Sequence, residues 1–147
     1  MAPVRTREAC EDDAGAVASL LVELGYRTDR DQAQNRLHRL LAEPRTRVLV
    51  AEEANNVVGV TAVRAENLLE HDEPAARLIA LVVAESSRRR GVGGALVKAA
   101  ESEARGLGCF RIVLTSAERR ADARAFYLAA GYEETGRRFV KELSPRS

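Results

Sequence analysis

The chain has no tryptophan, one methionine, two cysteines and two histidines, and only two of its 23 cationic side chains, Lys98 and Lys141, are lysine. Each scarcity excludes something. Cys10 and Cys109 lie far apart with no CxxC partner, so neither a disulfide scaffold nor a thiolate zinc site is expected. Such thiols suit a reducing, cytoplasmic setting. With histidine confined to His38 and His71, a histidine-rich metal centre is not expected, and no metal is invoked. No stretch approaches the ~20 apolar residues of a membrane span. Met1-Ala2-Pro3-Val4-Arg5 reaches charge too early for a signal-peptide core. An excess of one charge is also missing. The 23 cations face 22 acids, for a net charge of +1, which gives no global basic field and no expectation of nucleic acid binding.

What is present is an ordinary globular composition, 46% apolar and 31% charged over 147 residues. It fits one soluble domain spanning 1–147. Arginine takes 21 of the cationic positions, a bias that fits GC-rich coding and raises the question of which arginines are placed for chemistry.

Periodicity supplies the elements. Arg5 to Arg7 ends a short first strand. Glu11, Asp12 and Asp13 place negative charge where a helix begins. Val17, Leu20, Leu21 and Leu24 have helical spacing, with Gly25 as the C-cap. A second helix runs from about Asp29, with Ala33, Leu37, Leu40 and Leu41 on one face and Pro44 as its stop. His38 reads as a solvated helix residue. Arg47–Glu52 and Val57–Val63, separated by an Asn55-Asn56 turn signal, predict an antiparallel hairpin. A polar, acidic loop carries Glu66, Glu70, His71, Asp72, Glu73 and Pro74. Leu78–Val83 is a buried central strand. A helix follows Gly91 and ends near Gly106 and Gly108. Phe110–Thr115 is a strand and Ala121–Ala130 a last helix stopped by Gly131. Tyr132 and then Phe139-Val140 are expected to close the chain as strands. The order is that of an α/β (α+β) fold with a mixed sheet and helices on both sides.

The informative segment is Arg88-Arg89-Arg90-Gly91-Val92-Gly93-Gly94, which follows a buried strand and opens a helix. A helix N-terminus presents unpaired N–H groups and partial positive charge to an anion. Glycines admit the close approach of a phosphate, and arginines add charge at its edge. A Walker loop needs GxxxxGK[ST], which Lys98-Ala99 does not supply. A dinucleotide fingerprint needs a third glycine where Leu96 stands. A pyrophosphate loop for coenzyme A remains, beside the plainer reading of a glycine-rich turn with solvated arginines.

Arg88-x-x-Gly91-x-Gly93 resembles the acetyl-CoA signature of the GNAT N-acetyltransferase superfamily. Leu81-Val82-Val83 resembles the family's pantetheine-binding strand. Ala123-Arg124-Ala125-Phe126-Tyr127-x-x-x-Gly131-Tyr132 is similar to its A-x-x-F-Y-x-x-x-G-F/Y segment. The resemblance covers nearly the whole chain in the family's order. It implies a mostly antiparallel sheet of six to seven strands flanked by about four helices, with a splayed parallel strand pair. It also implies direct acetyl transfer from acetyl-CoA, as co-substrate, to an amine. Leu81, Val82 and Val83 would then face the pantetheine and thioester, one of their N–H groups holding the developing oxyanion. The segment Arg88, Arg89, Arg90, Gly91, Val92, Gly93 and Gly94 would cradle the pyrophosphate. Arg120 stands where the family often has a pantetheine-binding asparagine; its guanidinium either reaches the phosphates, which makes it a cofactor-binding candidate, or faces solvent. Tyr127 is the general-acid candidate, because a phenol stays protonated at neutral pH and can give a proton to the departing thiolate.

An attacking amine must be neutral, so a base or water relay is expected. No carboxylate lies between Leu78 and Val83, which leaves Glu66 and His71 as first candidates from the acidic loop. That loop's charge suits a cationic acceptor, a small amine or a protein lysine or N-terminus. Gly25–Asp29 is expected to form another wall of the acceptor pocket. Two alternatives stay open: an acyl-CoA sensor that no longer catalyses, and an interaction protein that dimerises through its last strands. A homodimer is compatible with either catalysis or sensing.

Overall fold

The computed structural model describes residues 3–116 and 121–146. These fall into two compact units, one through Leu114 and one from Thr115 onward. The first unit contains β1 (Val4–Glu8), α1 (Ala14–Leu24), α2 (Arg30–Leu41), β2 (Thr46–Glu53), β3 (Asn56–Glu66), β4 (Ala75–Val83), α3 (Val92–Gly106) and β5 (Ile112–Leu114). The second contains α4 (Ala121–Ala129).

Local chemistry explains the boundaries. Gly25 takes φ 105°, which lets the Tyr26 N–H reach back to the Leu21 carbonyl at 2.9 Å and close α1. Asp29 caps α2 reciprocally. Its carboxylate accepts the Gln32 N–H at 2.8 Å, and its own N–H donates to the Gln32 side chain at 3.0 Å. The β2–β3 turn uses Ala54 and Asn55, at φ 51° and 67°. Two successive positive φ values match the twist of a tight hairpin.

The strands lie in the order β1-β2-β3-β4-β5. The first three pairings are antiparallel and β4–β5 is parallel. Alternation along the strands sorts the core into two layers. Val48, Val50, Val60, Ala62 and Val82 pack with α1 and α2 through Val17, Leu20 and Leu37. Leu49 and Ala51 face the other way, onto Val92 and Leu96 of α3, with Leu81 and Val83 alongside. Burying a Leu96-sized side chain contributes about 2 kcal/mol, and Leu96 is fully buried.

Gly59 makes this second layer possible. A Cβ there would stand 2.9 Å from Leu96 Cδ1 and 3.1 Å from Val92 Cγ1. The first turn of α3 therefore rests directly on β3 backbone.

At the opposite edge of the sheet, Arg7 of β1 grips Asp13 with two bonds of 2.9 Å and Glu52 of β2 with one of 2.7 Å. The guanidinium holds the Asp13 carboxyl below the usual carboxylate range, and the Cys10 N–H adds to the effect.

The mixed, mostly antiparallel sheet and the four α-helices match expectation, but the strand count does not. Five strands are present among the described residues, not six to seven. Neither Tyr132 nor Phe139-Val140 lies in a strand. Gly131 and Gly136 both take positive φ, and the polar run Glu133-Glu134-Thr135-Gly136-Arg137-Arg138 between Tyr132 and Phe139 leaves only a two-residue apolar pair. Phe139 is 91% exposed.

Candidate active site

The site is built on an asymmetry along β4. Its first half is paired on both sides, to β3 and, at Ala76–Leu78, to Ile112–Leu114 of β5. Beyond Leu78 the β5-facing edge has no strand partner among the described residues. At the same point the β3 register shifts: Ala62 pairs with Ala80 and Val63 with Leu78, leaving Ile79 as the extra residue of a β-bulge.

The bulge reverses which residues face which edge. Below it, the Ala76 N–H donates to Arg111 on the β5 side at 2.8 Å. Above it, the Ala80 carbonyl accepts from Thr61 of β3 at 2.7 Å, and the Ala84 N–H donates to Val58 of β3 at 2.8 Å. Successive strand residues alternate, so Leu81 and Val83 turn their backbone groups to the unpaired edge. Val82 points its side chain into the α1–α2 layer.

A 3-10 turn over Glu85–Ser87 then leads to Arg88, Arg89, Arg90 and Gly91. Arg89 takes φ 65° and Gly91 φ 81°. A left-handed arginine costs about 1–2 kcal/mol and persists only where its surroundings enforce it. Gly91 is the N-cap of α3 and offers no side-chain cap, so the leading N–H groups of Val92, Gly93 and Gly94 have no partner from the cap. The three arginines are not equivalent. Arg88 Nε donates to the Val83 carbonyl at 3.4 Å, and Arg90 Nη1 pairs with Glu53 at 2.9 Å. Arg89 has no side-chain hydrogen bond or ion pair among the described residues.

The same end of the sheet carries the α1–α2 connection. Glu23 of α1 accepts the Glu85 N–H at 2.8 Å. Just beyond Glu23 lies an open groove lined by Val22, Gly25, Arg27, Thr28, Asp29 and Gln32. The wall expected from Gly25–Asp29 thus belongs to the end of the sheet where β4 is open.

Glu66 and His71 are not brought to that end. Glu66 pairs in register with Ala75, the first residue of β4. At a rise of ~3.3 Å per residue, Leu81 lies roughly 20 Å further along the strand. One Glu66 oxygen accepts from Arg77 Nε at 3.1 Å, and the other lies 3.5 Å from Arg64. His71 is exposed, its ring 4.8 Å from that of Phe110, just ahead of β5. The pair that sequence offered as bases sits at the closed end of β4, one of them already committed to two guanidinium groups.

In the second unit, Tyr127 is a half-buried residue of α4. Its ring meets Phe126 at 5.1 Å and Tyr132 at 5.8 Å, both edge-on. The Tyr132 N–H donates to the Tyr127 carbonyl at 3.0 Å, so the turn at Gly131 folds the second aromatic back onto the first. Arg120 lies outside the described residues.

A strand edge with free backbone groups, running into a glycine-opened helix end flanked by arginine, suits an extended ligand with an anionic terminus. Comparison with known proteins identifies the class. The chain belongs to the acetyltransferase (GNAT) family, whose family model matches residues 15–132. It is 32% identical over 143 residues, 93% of this chain and 90% of the relative, to aminoalkylphosphonate N-acetyltransferase of Salmonella typhimurium. Among solved structures it resembles a transcriptional regulator from Bacillus halodurans, with TM-score 0.87, 21% identity, and coverage of 96% of this chain and 100% of that one. It also resembles the aminoglycoside N-acetyltransferase AAC(6')-Iy in complex with CoA, with TM-score 0.85, 18% identity, and coverage of 98% and 97%. At these identities the structural likenesses establish the fold. The chain is thus an acetyltransferase of this family.

Three features escaped the sequence reading. The Ile79 bulge leaves no mark in an uninterrupted apolar run. Glu53 stands 37 positions from Arg90, so no local pattern joins them. Gly59 did carry a signal, since glycine inside a strand marks close backbone approach.

Proposed function

We propose that this chain moves the acetyl group of acetyl-CoA to the primary amine of a small molecule. Acetyl-CoA supplies an activated thioester; the chain binds, orients and moves protons. In this reading the backbone groups of Leu81 and Val83 pair with the pantetheine amides. The Val83 N–H, on the open edge, holds the charge that develops on the thioester oxygen, while Val82 turns its backbone to β3. The N–H groups of Gly91, Val92, Gly93 and Gly94 receive the pyrophosphate, with Arg88 and Arg89 beside it; Arg120, outside the described residues, is assigned to the same phosphates from its place in the sequence. Tyr127 protonates the departing thiolate. The acceptor enters along the α1–α2 connection, where Arg27 offers a cation to an anionic substituent. In this reading Glu66 and His71 carry no proton, and a water relay takes the proton of the amine.

The observation that carries this reading is the reversal of edge-facing residues at Ile79. It gives Leu81 and Val83 open backbone groups leading directly to the α3 N-terminus. Similarity to a protein named for aminoalkylphosphonate acetylation supports a small acceptor. The test is thiol release from acetyl-CoA with a panel of aminoalkylphosphonates, diamines, aminoglycosides and lysine peptides. Release is expected with a small amine, and Tyr127→Phe should lower kcat by about 10²–10³-fold with little change in acetyl-CoA affinity. Binding of acetyl-CoA without release for any acceptor would indicate a sensor instead. Unchanged turnover in Tyr127→Phe would remove that residue from the chemistry.

A further inference from the structure

Glu53 has a position that its sequence does not explain. It is the last residue of β2, paired in register with Asn56 across the hairpin. It shares the α3-facing side of the strand with Leu49 and Ala51. Its neighbour Glu52 points the other way and is taken by Arg7. The Glu53 side chain is only 11% exposed. One of its oxygens, Oε1, accepts from Arg90 Nη1 at 2.9 Å and from Ser87 Oγ at 3.4 Å. Ser87 is itself buried, at 3% exposure.

These two donors stand at the two ends of the segment that leads into the α3 amides. Ser87 ends the 3-10 turn after β4, and Arg90 immediately precedes the N-cap of α3. Between them Arg89 holds a left-handed conformation that an arginine does not adopt without support. The Ser87 and Arg88 N–H groups donate to the carbonyls of Ala84 and Glu85, and Arg88 Nε donates to the Val83 carbonyl; the side-chain contacts of Ser87 and Arg90 are made to the end of β2. A nearly buried carboxylate beside a phosphate site would repel the phosphate if left bare. Arg90 offsets that charge, which also removes Arg90 from the cations available to the ligand.

We propose that Glu53 is a positioning residue for the anion-binding loop, fixing Ser87 and Arg90 so that the α3 amides face the pyrophosphate. The proposal rests on the acetyl-CoA reading above. It predicts a defect confined to the phosphate end of the co-substrate. Glu53→Gln keeps the shape and removes the charge. It should raise the KM for acetyl-CoA about fivefold to tenfold, keep kcat within about twofold, and leave kcat/KM for S-acetylpantetheine, which lacks the pyrophosphate, at the wild-type value. Arg90→Gln, at a largely exposed side chain that tolerates replacement, should give the same rise. The double variant should be no worse than either single one, as expected for two partners of one contact. An unchanged or lowered acetyl-CoA KM in Glu53→Gln would overturn the proposal, as would an equal loss with S-acetylpantetheine or additive losses in the double variant. Failure of the wild-type chain to turn over either thioester would overturn the acetyl-CoA reading itself, and the positioning role with it.

Discussion

The two ends of β4 are built mostly from small and apolar residues, with Arg77 in the first, and they have opposite fates. At Ala76–Leu78 the strand is held on both sides, and the surrounding charges are paired, Glu66 with Arg64 and Arg77, and Glu43 with Arg64. Beyond Ile79, among the described residues, one edge has no strand partner, the next helix begins without a side-chain cap, and Arg89 makes no side-chain hydrogen bond or ion pair. An extra residue in a strand separates a structural end from one equipped to bind. On the proposed reading, the placement of unsatisfied backbone groups, rather than the placement of acidic side chains, marks the ligand end of this fold.

The comparison can be broken or sharpened by substitution. The largest effect is expected at the open end. Gly91→Glu adds a side chain at φ 81° and a negative charge at the helix mouth. Acetyl-CoA binding measured by calorimetry should weaken roughly 100-fold, with Gly91→Ala costing about tenfold from the left-handed penalty alone. Wild-type affinity in both would detach the glycine loop from binding.

Gly59→Val comes next. It forces β3 against Val92 and Leu96, where overpacking costs about 1–3 kcal/mol. The melting temperature should fall by roughly 3–10 °C, and acetyl-CoA affinity should fall as well because the start of α3 is displaced. Loss of stability with intact affinity would show that α3 tolerates the shift.

A control far from β4 lies in the Arg7–Asp13 pair. The folded chain holds the Asp13 carboxyl below its unfolded value, so the unfolded state binds more protons as pH falls through the ordinary aspartate range near ~3.9. This contribution to stability is complete above that range and is lost as pH drops through the lower, folded value. Asp13→Asn should therefore cost about 1–2 kcal/mol at neutral pH, a figure reduced for the partial exposure of Arg7. The gap from wild type should close in acid, with acetyl-CoA affinity unchanged. A gap that persists at low pH would assign the loss to packing.

The smallest effect belongs to the closed end. Glu66→Gln removes half-exposed ion pairs worth at most about 1 kcal/mol, and turnover should stay within about twofold of wild type. A collapse of kcat with an altered pH profile would return Glu66 to the chemistry.

Much of this was legible in the sequence. Gly25, Asp29 and Pro44 marked helix ends because capping is local chemistry. The segment 88–94 stood out because glycine and arginine at a helix start suit an anion, although a plain glycine-rich turn with solvated arginines fits the pattern too, and the flanking segments tipped the balance. The anion loop and the aromatic pair on α4 were readable for that reason. Other features depended on chain partners distant in sequence. Nothing in Leu78–Val83 announces a bulge at Ile79, since every residue there is apolar and the register is decided by β3. Arg90 looked equal to Arg88 and Arg89 until Glu53 was found against it. Glu66 and His71 were attractive as carboxylate and imidazole after a strand, but sequence order does not say at which end of the next strand they fall. Phe139-Val140 resembled a strand by composition, while the left-handed Gly136 and the charges before it leave the pair exposed.

The central claim is that the open end of β4 and the start of α3 together hold acetyl-CoA. Amide hydrogen exchange of the whole chain, with and without acetyl-CoA, tests it most directly. The account predicts slowed exchange across residues 79–94 and no change across 66–75. Protection centred on 66–75, or acetyl-CoA turnover with no protection across 79–94, would contradict it.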